Sequence, residues 1–190
     1  DAPKLKVVKV DLSAAPASDG AGFTFSEVIP ERAETLDRAQ IVGNRLILSY
    51  LRDAASTAEV VSLDGKPVRQ IVLNAIGKAS GFTGRPGDPE TFYAFSSFNQ
   101  PSAIYRFDSN TGESTPFALP KLTFAPDSYA VEQRFYTSRD GTRVPMFIVR
   151  KKGLVDANQP APTLLYGYGG FDVALTPSFS AVRMAWLEAG

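Results

Sequence analysis

One pattern recurs three times before residue 120 and limits what this chain can become: a β-rich run that ends in an acidic turn. It reads "VKVDL" near the start, "VVSLDG" in the middle and "IYRFDSNTG" further on. Anchored on Asp11, Asp64 and Asp108, the copies lie 53 and 44 residues apart (64−11 and 108−64). Blades of β-propellers, each a four-stranded sheet, recur at about 40–50 residues. The runs around the anchors predict strands over 5–12, 23–30, 45–51 and 90–98, a hairpin over 58–73 that turns at Asp64-Gly65, and a run over 102–119 with another turn around Asn110-Thr111-Gly112. A loop of small and turn-forming residues, "SAAPASDGAG", separates the first two runs, and no stretch before residue 120 carries a helical period. Propeller blades are preferred over an all-β sandwich whose hairpins resemble one another by chance. About two to three blades fit, fewer than the typical 4–8 that close a ring, so the expectation is part of a larger protein.

Composition excludes several classes. The 190 residues are 44% hydrophobic and 21% charged, the balance of a globular protein rather than a disordered one. Lys+Arg and Asp+Glu number 20 each, which gives no reason to expect nucleic acid or an acidic membrane as a partner. No apolar run approaches the roughly 18 residues that span a bilayer. The opening "DAPKLKVVKVDL" lacks the pattern of a signal peptide, and a mature start and a start in mid-protein both stay open. The expectation is a soluble protein of the cytoplasm or the periplasm, undistinguished by a sequence with 0 cysteines. The count of 0 histidines is the sharper absence. Thiolate and imidazole metal sites are gone, as is any Ser-His-Asp triad within this chain, and no GxSxG occurs. Neither a metal nor a cofactor is expected.

Composition shifts at "LPKLTFAPDSY", 119–129, a proline-punctuated boundary. Beyond it, "AVEQRFYTS" (130–138) and "RVPMFIVR" (143–150) predict a second hairpin around "RDGT", with Arg139, Asp140 and Arg143 in a solvated turn. "KKGLVDANQPAP" reads as a loop and "TLLYGY" (163–168) as a short buried strand. Thr176-Pro177 resembles an N-cap with proline at the first helical position. Phe179, Val182, Arg183 and Trp186 follow at helical spacing, with Trp186 read as core and Gly190 as the residue just past the helix. Strand, glycine loop and helix in that order form an α/β unit.

The loop "YGYGGF", 166–171, fits neither phosphate-binding pattern: a dinucleotide fingerprint needs glycine at Asp172, and no GK[ST] follows. Two readings of it stay open. It is a tight corner whose aromatics fill core space, or it presents a hydrogen-bond donor to a reacting carbonyl, as loops at the carboxyl ends of strands in α/β sheets do. Tyr166 alternates away from Tyr168 on an extended strand and reads as packing.

"FYTSRDGTRVPMFIVRKKG" followed by "LLYGYGGFDVALTPSFS" resembles the prolyl oligopeptidases, serine peptidases that cleave short peptides after proline. The likeness is dense over 129–180, and the blades before it agree with it. The related oligopeptidases that cleave after basic residues carry a "YGSYG"-like ending and the dipeptidyl peptidases a "YGGP"-like one, and neither is present. The resemblance implies a seven-bladed propeller that gates access to an α/β-hydrolase domain. Residues 1–122 would be the last blades, and 123–190 the opening strands and first helix of the catalytic domain. It implies that Tyr168 donates to the oxyanion of the tetrahedral intermediate and that Phe171 lines the proline pocket. The nucleophilic serine, its aspartate and its histidine would lie past Gly190, and the partners would be short proline-containing peptides and the remainder of the parent. Two alternatives stand beside this: a non-catalytic propeller-based interaction module, and a related oligopeptidase of different specificity.

Overall fold

The computed structural model describes residues 2–13, 22–153, 160–171 and 173–189. Most of the loop "SAAPASDGAG", the middle of "KKGLVDANQPAP" and Gly190 lie outside the described residues. Among the described residues twelve strands run in chain order, followed by one α-helix: β1 (Val7–Val10), β2 (Phe25–Ile29), β3 (Thr35–Val42), β4 (Arg45–Arg52), β5 (Ala55–Ser62), β6 (Pro67–Ile71), β7 (Lys78–Thr83), β8 (Glu90–Ser96), β9 (Ala103–Asp108), β10 (Ser114–Ala118), β11 (Tyr129–Thr137), β12 (Arg143–Lys151) and α1 (Ala181–Ala189).

The strands pair as antiparallel meanders. β3-β4-β5-β6 and β7-β8-β9-β10 are four-stranded sheets, each with its strands in sequence order, while β1-β2 and β11-β12 are two-stranded. Among the described residues no strand pairs outside its own meander, as the Greek-key connections of a sandwich would require. Four consecutive strands per sheet is the organisation of a propeller blade. The three acidic anchors fall where this predicts. Asp64 follows, and Asp108 ends, the third strand of a four-stranded sheet, and Asp11 follows β1.

Packing explains the different textures of the strands. In β4 five consecutive residues, Leu46 to Tyr50, are buried. Leu46, Leu48 and Tyr50 join Ile29, Leu36 and Val61 in one core, against the β1-β2 sheet. Ile47 joins Val42, Ala58 and Val60 in a second core with Phe82, Tyr93, Phe95 and Phe107 of the next sheet. Successive side chains on a strand point to opposite faces, so an uninterrupted apolar run marks a strand covered on both sides. β9, with one face covered, alternates instead: Ala103, Tyr105 and Phe107 are buried and Arg106 is exposed. Within the second core, Phe82 stacks on Tyr93 with ring centroids 4.6 Å apart, and Tyr93 on Tyr105 at 5.3 Å. The sheets are also tied across their outer strands, where Arg69 of β6 donates to the carbonyls of Asn110 (2.8 Å) and Thr111.

Buried charge is paired. The Glu59 side chain is 8% exposed, accepts from Arg32 at 2.6 Å and from Gln70 at 3.0 Å, and Arg32 stacks over the Tyr50 ring. The predicted hairpin at Asp64-Gly65 is observed, with Gly65 at φ +84°. A β-carbon there would run into the Val28 carbonyl, so both conformation and space favour glycine.

The structure corrects the sequence reading in several places. β3 and β7, the first strands of the two blades, carry no clean alternation and were not expected. The segment 163–168 forms no strand. A buried strand needs partners along both edges, and none of the described strands pairs with it. The helix begins at Ala181 rather than Pro177: the Arg183 amide meets the Ser180 hydroxyl at 3.4 Å, and the Met184 amide donates to the Ser180 carbonyl at 3.1 Å. Ser180 therefore caps it, while Pro177 is fully buried ahead of the first turn. Met184 is the buried helical side chain, and Trp186, expected in the core, is 51% exposed.

Two outcomes test this packing. In urea unfolding, Leu48→Ala lowers stability by about 2–5 kcal/mol, because it empties a site between two sheets. Val68→Ala, at a largely exposed position on an outer strand, costs no more than about 0.5 kcal/mol. The second concerns the Asp64 carboxyl, held down to about 2 from 3.8 chiefly by Lys66 and then by the Ser62 hydroxyl. A carboxyl whose pKa is lower folded than unfolded contributes stability above the unfolded value, and that contribution is lost as pH falls through the folded one. Asp64→Asn therefore flattens the pH dependence of the urea midpoint between pH 3.8 and about 2 and leaves its slope at neutral pH unchanged.

Candidate functional site

β11, β12 and α1 are held to one another and to the sheets by a few identifiable contacts. β11 and β12 pair without a bulge from Tyr129 opposite Lys151 to Thr137 opposite Arg143. Asp140 closes the turn by accepting from the Thr142 amide at 3.0 Å, and that bond holds its carboxyl below the usual range. Glu132 lies between Arg134 (2.7 Å) and Arg150 (2.8 Å), and the two guanidiniums lower its pKa. At the other end, Glu188 of α1 takes the Tyr129 hydroxyl and the Lys151 ammonium, which ties the helix to the base of the hairpin. Phe179 stacks on Phe124 of the connector at 5.8 Å, with ring planes 7° apart.

This unit sits on one face of the blades. Asn99 donates to the Pro126 carbonyl at 2.9 Å, Phe98 packs on Phe147 at 5.2 Å, and the Arg183 guanidinium lies over the Phe98 ring. Gln133 donates to the Asp53 carbonyl at 2.6 Å, and Arg143 lies 4.0 Å from the Asp53 carboxylate. Asp53 lies between β4 and β5, and Phe98 and Asn99 between β8 and β9. Both connections join the second and third strands of a four-stranded sheet, so they lie at the same end of their meanders. The acidic turns at Asp64 and Asp108 join third to fourth strands and lie at the opposite end.

The glycine loop that sequence reading singled out is presented to solvent. Leu165 is 83% exposed, Tyr166 73%, Tyr168 49% and Phe171 93%. Tyr166 is thus not packed, contrary to the sequence expectation, for the same reason that no strand forms. The Tyr168 ring folds back over Gly170, its hydroxyl 3.2 Å from where a β-carbon on that glycine would sit. Its hydroxyl has no hydrogen-bond partner among the described residues. Phe171 adopts φ +55°, in the left-handed region, costly for an aromatic residue, in a turn closed by the Val173 amide on the Gly170 carbonyl at 3.1 Å.

No other described side chain converges on Tyr168 and Phe171. A cavity of about 490 Å³ lies elsewhere, lined by Phe124, Ser128, Tyr129, Lys151, Met184 and Glu188 among others. Among the described residues no group of three or more His, Cys, Asp or Glu could hold a metal ion, and no helix is long and apolar enough to cross a membrane. Sequence reading missed the contacts of Asp53, Gln133 and Glu188, which lie 37 or more residues from their partners and leave no local signal.

Comparison with known proteins gives this arrangement a family. The model of the prolyl oligopeptidase N-terminal β-propeller domain matches residues 1–120. The prolyl endopeptidase of Elizabethkingia meningoseptica is 38% identical over 190 residues, which is 100% of this chain and 26% of that protein. The dual function macrocyclase-peptidase POPB of Amanita bisporigera is 30% identical over 194 residues, covering 99% of this chain and 26% of its own length. A structure solved in a study of two prolyl endopeptidases and their inter-domain dynamics superposes with a TM-score of 0.86 at 42% identity, over 100% of this chain and 27% of that one. The chain belongs to the prolyl oligopeptidase family. It spans about a quarter of the length of the curated relatives it matches.

Proposed function

We propose that residues 1–122 are blades of the propeller and 123–190 the opening of an α/β-hydrolase catalytic domain. The parent is a serine-type endopeptidase that cleaves short peptides on the carboxyl side of proline, with the propeller limiting access. The observation that carries the reading is the glycine loop, with an exposed phenol at Tyr168 lacking a hydrogen-bond partner among the described residues and an exposed apolar ring at Phe171. Similarity over the whole chain to proteins named prolyl endopeptidase supports it.

In this reading Tyr168 is the electrophilic partner of the reaction. When a nucleophile attacks the scissile carbonyl, the oxygen gains charge, and a phenol O–H aimed at it stabilises the oxyanion more than the neutral carbonyl. Glycines at 167, 169 and 170 let the backbone bring that hydroxyl close to a peptide without a side chain intervening. Phe171 offers a flat apolar surface to a proline ring, which has no N–H to satisfy. The nucleophile and its base come from outside these residues, since the chain has 0 histidines.

Two experiments test the reading. In the full-length protein, Tyr168→Phe lowers kcat roughly 10²-fold with little change in KM, the scale for one lost oxyanion donor. Phe171→Ala instead raises KM, by the equivalent of about 1–3 kcal/mol of apolar contact. Should Tyr168→Phe leave kcat within about twofold, the phenol is not the donor. In the second experiment a fluorophosphonate probe labels one serine of the full-length protein and none in the 190-residue chain. A full-length protein that resists labelling is a propeller module without peptidase chemistry.

A further inference from the structure

Along one face of the β3-β6 sheet, packing changes from apolar to polar toward the end that the hairpin contacts. Register puts Leu46 opposite Val61, Leu48 opposite Glu59, Tyr50 opposite Thr57 and Glu59 opposite Gln70. Residues opposite each other in an antiparallel pair share a face, and alternate residues of one strand do too. Leu46, Leu48 and Val61 close the core against β1-β2. Beyond them, toward the β4-β5 turn, the same face carries Tyr50, Arg52, Glu59 and Gln70, and the β2-β3 connection adds Arg32 and Glu34. A cavity of about 110 Å³ is lined by these six, among others.

Its polar groups are unevenly used. The Glu59 carboxylate is occupied by Arg32 and Gln70. The hydroxyl of Tyr50, a residue only 6% exposed, has no hydrogen-bond partner among the described residues. A buried hydroxyl without a partner is unfavourable. Burial also pushes its pKa above the usual 10.0, so it keeps its proton and calls for an acceptor. Half-buried Glu34 and exposed Arg52 carry no side-chain hydrogen bond or ion pair among the described residues. The charges lining the cavity balance, Arg32 against Glu59 and Arg52 against Glu34. An anion would meet the Glu34 carboxylate, and a cation the Arg52 guanidinium. A neutral group that both accepts and donates meets neither obstacle. An amide carbonyl takes the Tyr50 proton or a guanidinium N–H, and an amide N–H goes to Glu34.

We propose that this cavity is a subsite for an amide of a bound peptide, supplied by an Asn or Gln side chain or by the peptide backbone. It rests on the reading that the parent cleaves peptides lying between the blades and the catalytic domain, the side on which the cavity lies.

The test is cleavage by the full-length protein of equal-length peptides that carry Gln, Met, Glu or Lys in turn at each position flanking the proline. At one position Gln is favoured over Met roughly two- to tenfold in kcat/KM, the scale of one hydrogen bond. Tyr50→Phe removes that preference. Tyr93→Phe, which deletes another buried hydroxyl, one bonded to Ser114, retains it. Glu34→Gln leaves the cavity positive and shifts the preference from Gln to Glu, whereas Arg52→Gln shifts it to Lys. In a second series, one backbone amide at a time away from the scissile bond is replaced by an ester. A penalty that shrinks in Tyr50→Phe, without a Gln preference, assigns the cavity to the backbone. The proposal is overturned if neither preference nor penalty depends on Tyr50, as when an ordered water alone fills the cavity, or if Tyr93→Phe abolishes them equally. A protein that cleaves none of the peptides overturns the peptidase reading and the subsite with it. Cleavage without Tyr50 dependence overturns the subsite alone.

Discussion

Leu46, Leu48 and Tyr50 of β4 look toward the β1-β2 sheet while Ile47 of the same strand looks toward the β7-β10 sheet, so one strand belongs to two cores at once. Burying an aliphatic side chain contributes about 1.5–3 kcal/mol, and β4 and β5 supply several on each face. The middle sheet can therefore shift against one neighbour only by disturbing its packing on the other. That fixes the spacing between the β4-β5 and β8-β9 connections, the two points on which the β11-β12 hairpin rests. The geometry of the second unit follows from apolar packing inside the first.

Polar contacts refine this frame rather than hold it up. The buried Glu59 is matched by Arg32 and Gln70, so that its carboxylate is not left uncompensated between sheets. Arg69 spans two blades at their outer strands, where apolar packing is thinner. The acidic turns serve local closure. Asp108 accepts from the amides of Asn110 and Thr111, and the Thr111 bond above all depresses its pKa. The turns at Asp64 and Asp108 lie at the end of their meanders away from the hairpin. The repeated turns at Asp64 and Asp108 therefore mark the end opposite the one that the hairpin contacts, which carries the unrepeated residues Asp53, Phe98 and Asn99.

The candidate loop has a different character. Tyr168 and Phe171 stand on a segment with no sheet beneath it, and its conformation is set by glycine, by the fold of the Tyr168 ring over Gly170 and by one turn hydrogen bond. A catalytic donor needs its position fixed to a fraction of an ångström, which local bonds of this kind do not provide. The reading of Tyr168 as an oxyanion donor thus carries a structural demand: other strands of the parent must pair along 163–168.

Much of the fold was legible because period and turn chemistry are local properties. "RLILSYL" and "IYRFD" read as strands from their apolar residues, and Asp64-Gly65 reads as a turn because glycine tolerates φ +84°. β3 and β7 escaped because "TLDRAQIV" and "KASGFT" mix charged and small residues among the apolar ones, and their strand form is imposed by pairing with β4 and β8. "TLLYGY" failed in the opposite direction, since its residues suit a buried strand but burial requires neighbours. The amino-acid sequence by itself determined the blade repeat, the absence of an imidazole base and the glycines that free the loop. The tertiary structure alone decided which end of the meanders carries the hairpin, that Asp53 meets Gln133 across 80 residues of chain, and that Tyr168 and Phe171 face solvent. Those outcomes depend on contacts between distant segments, which no local pattern encodes.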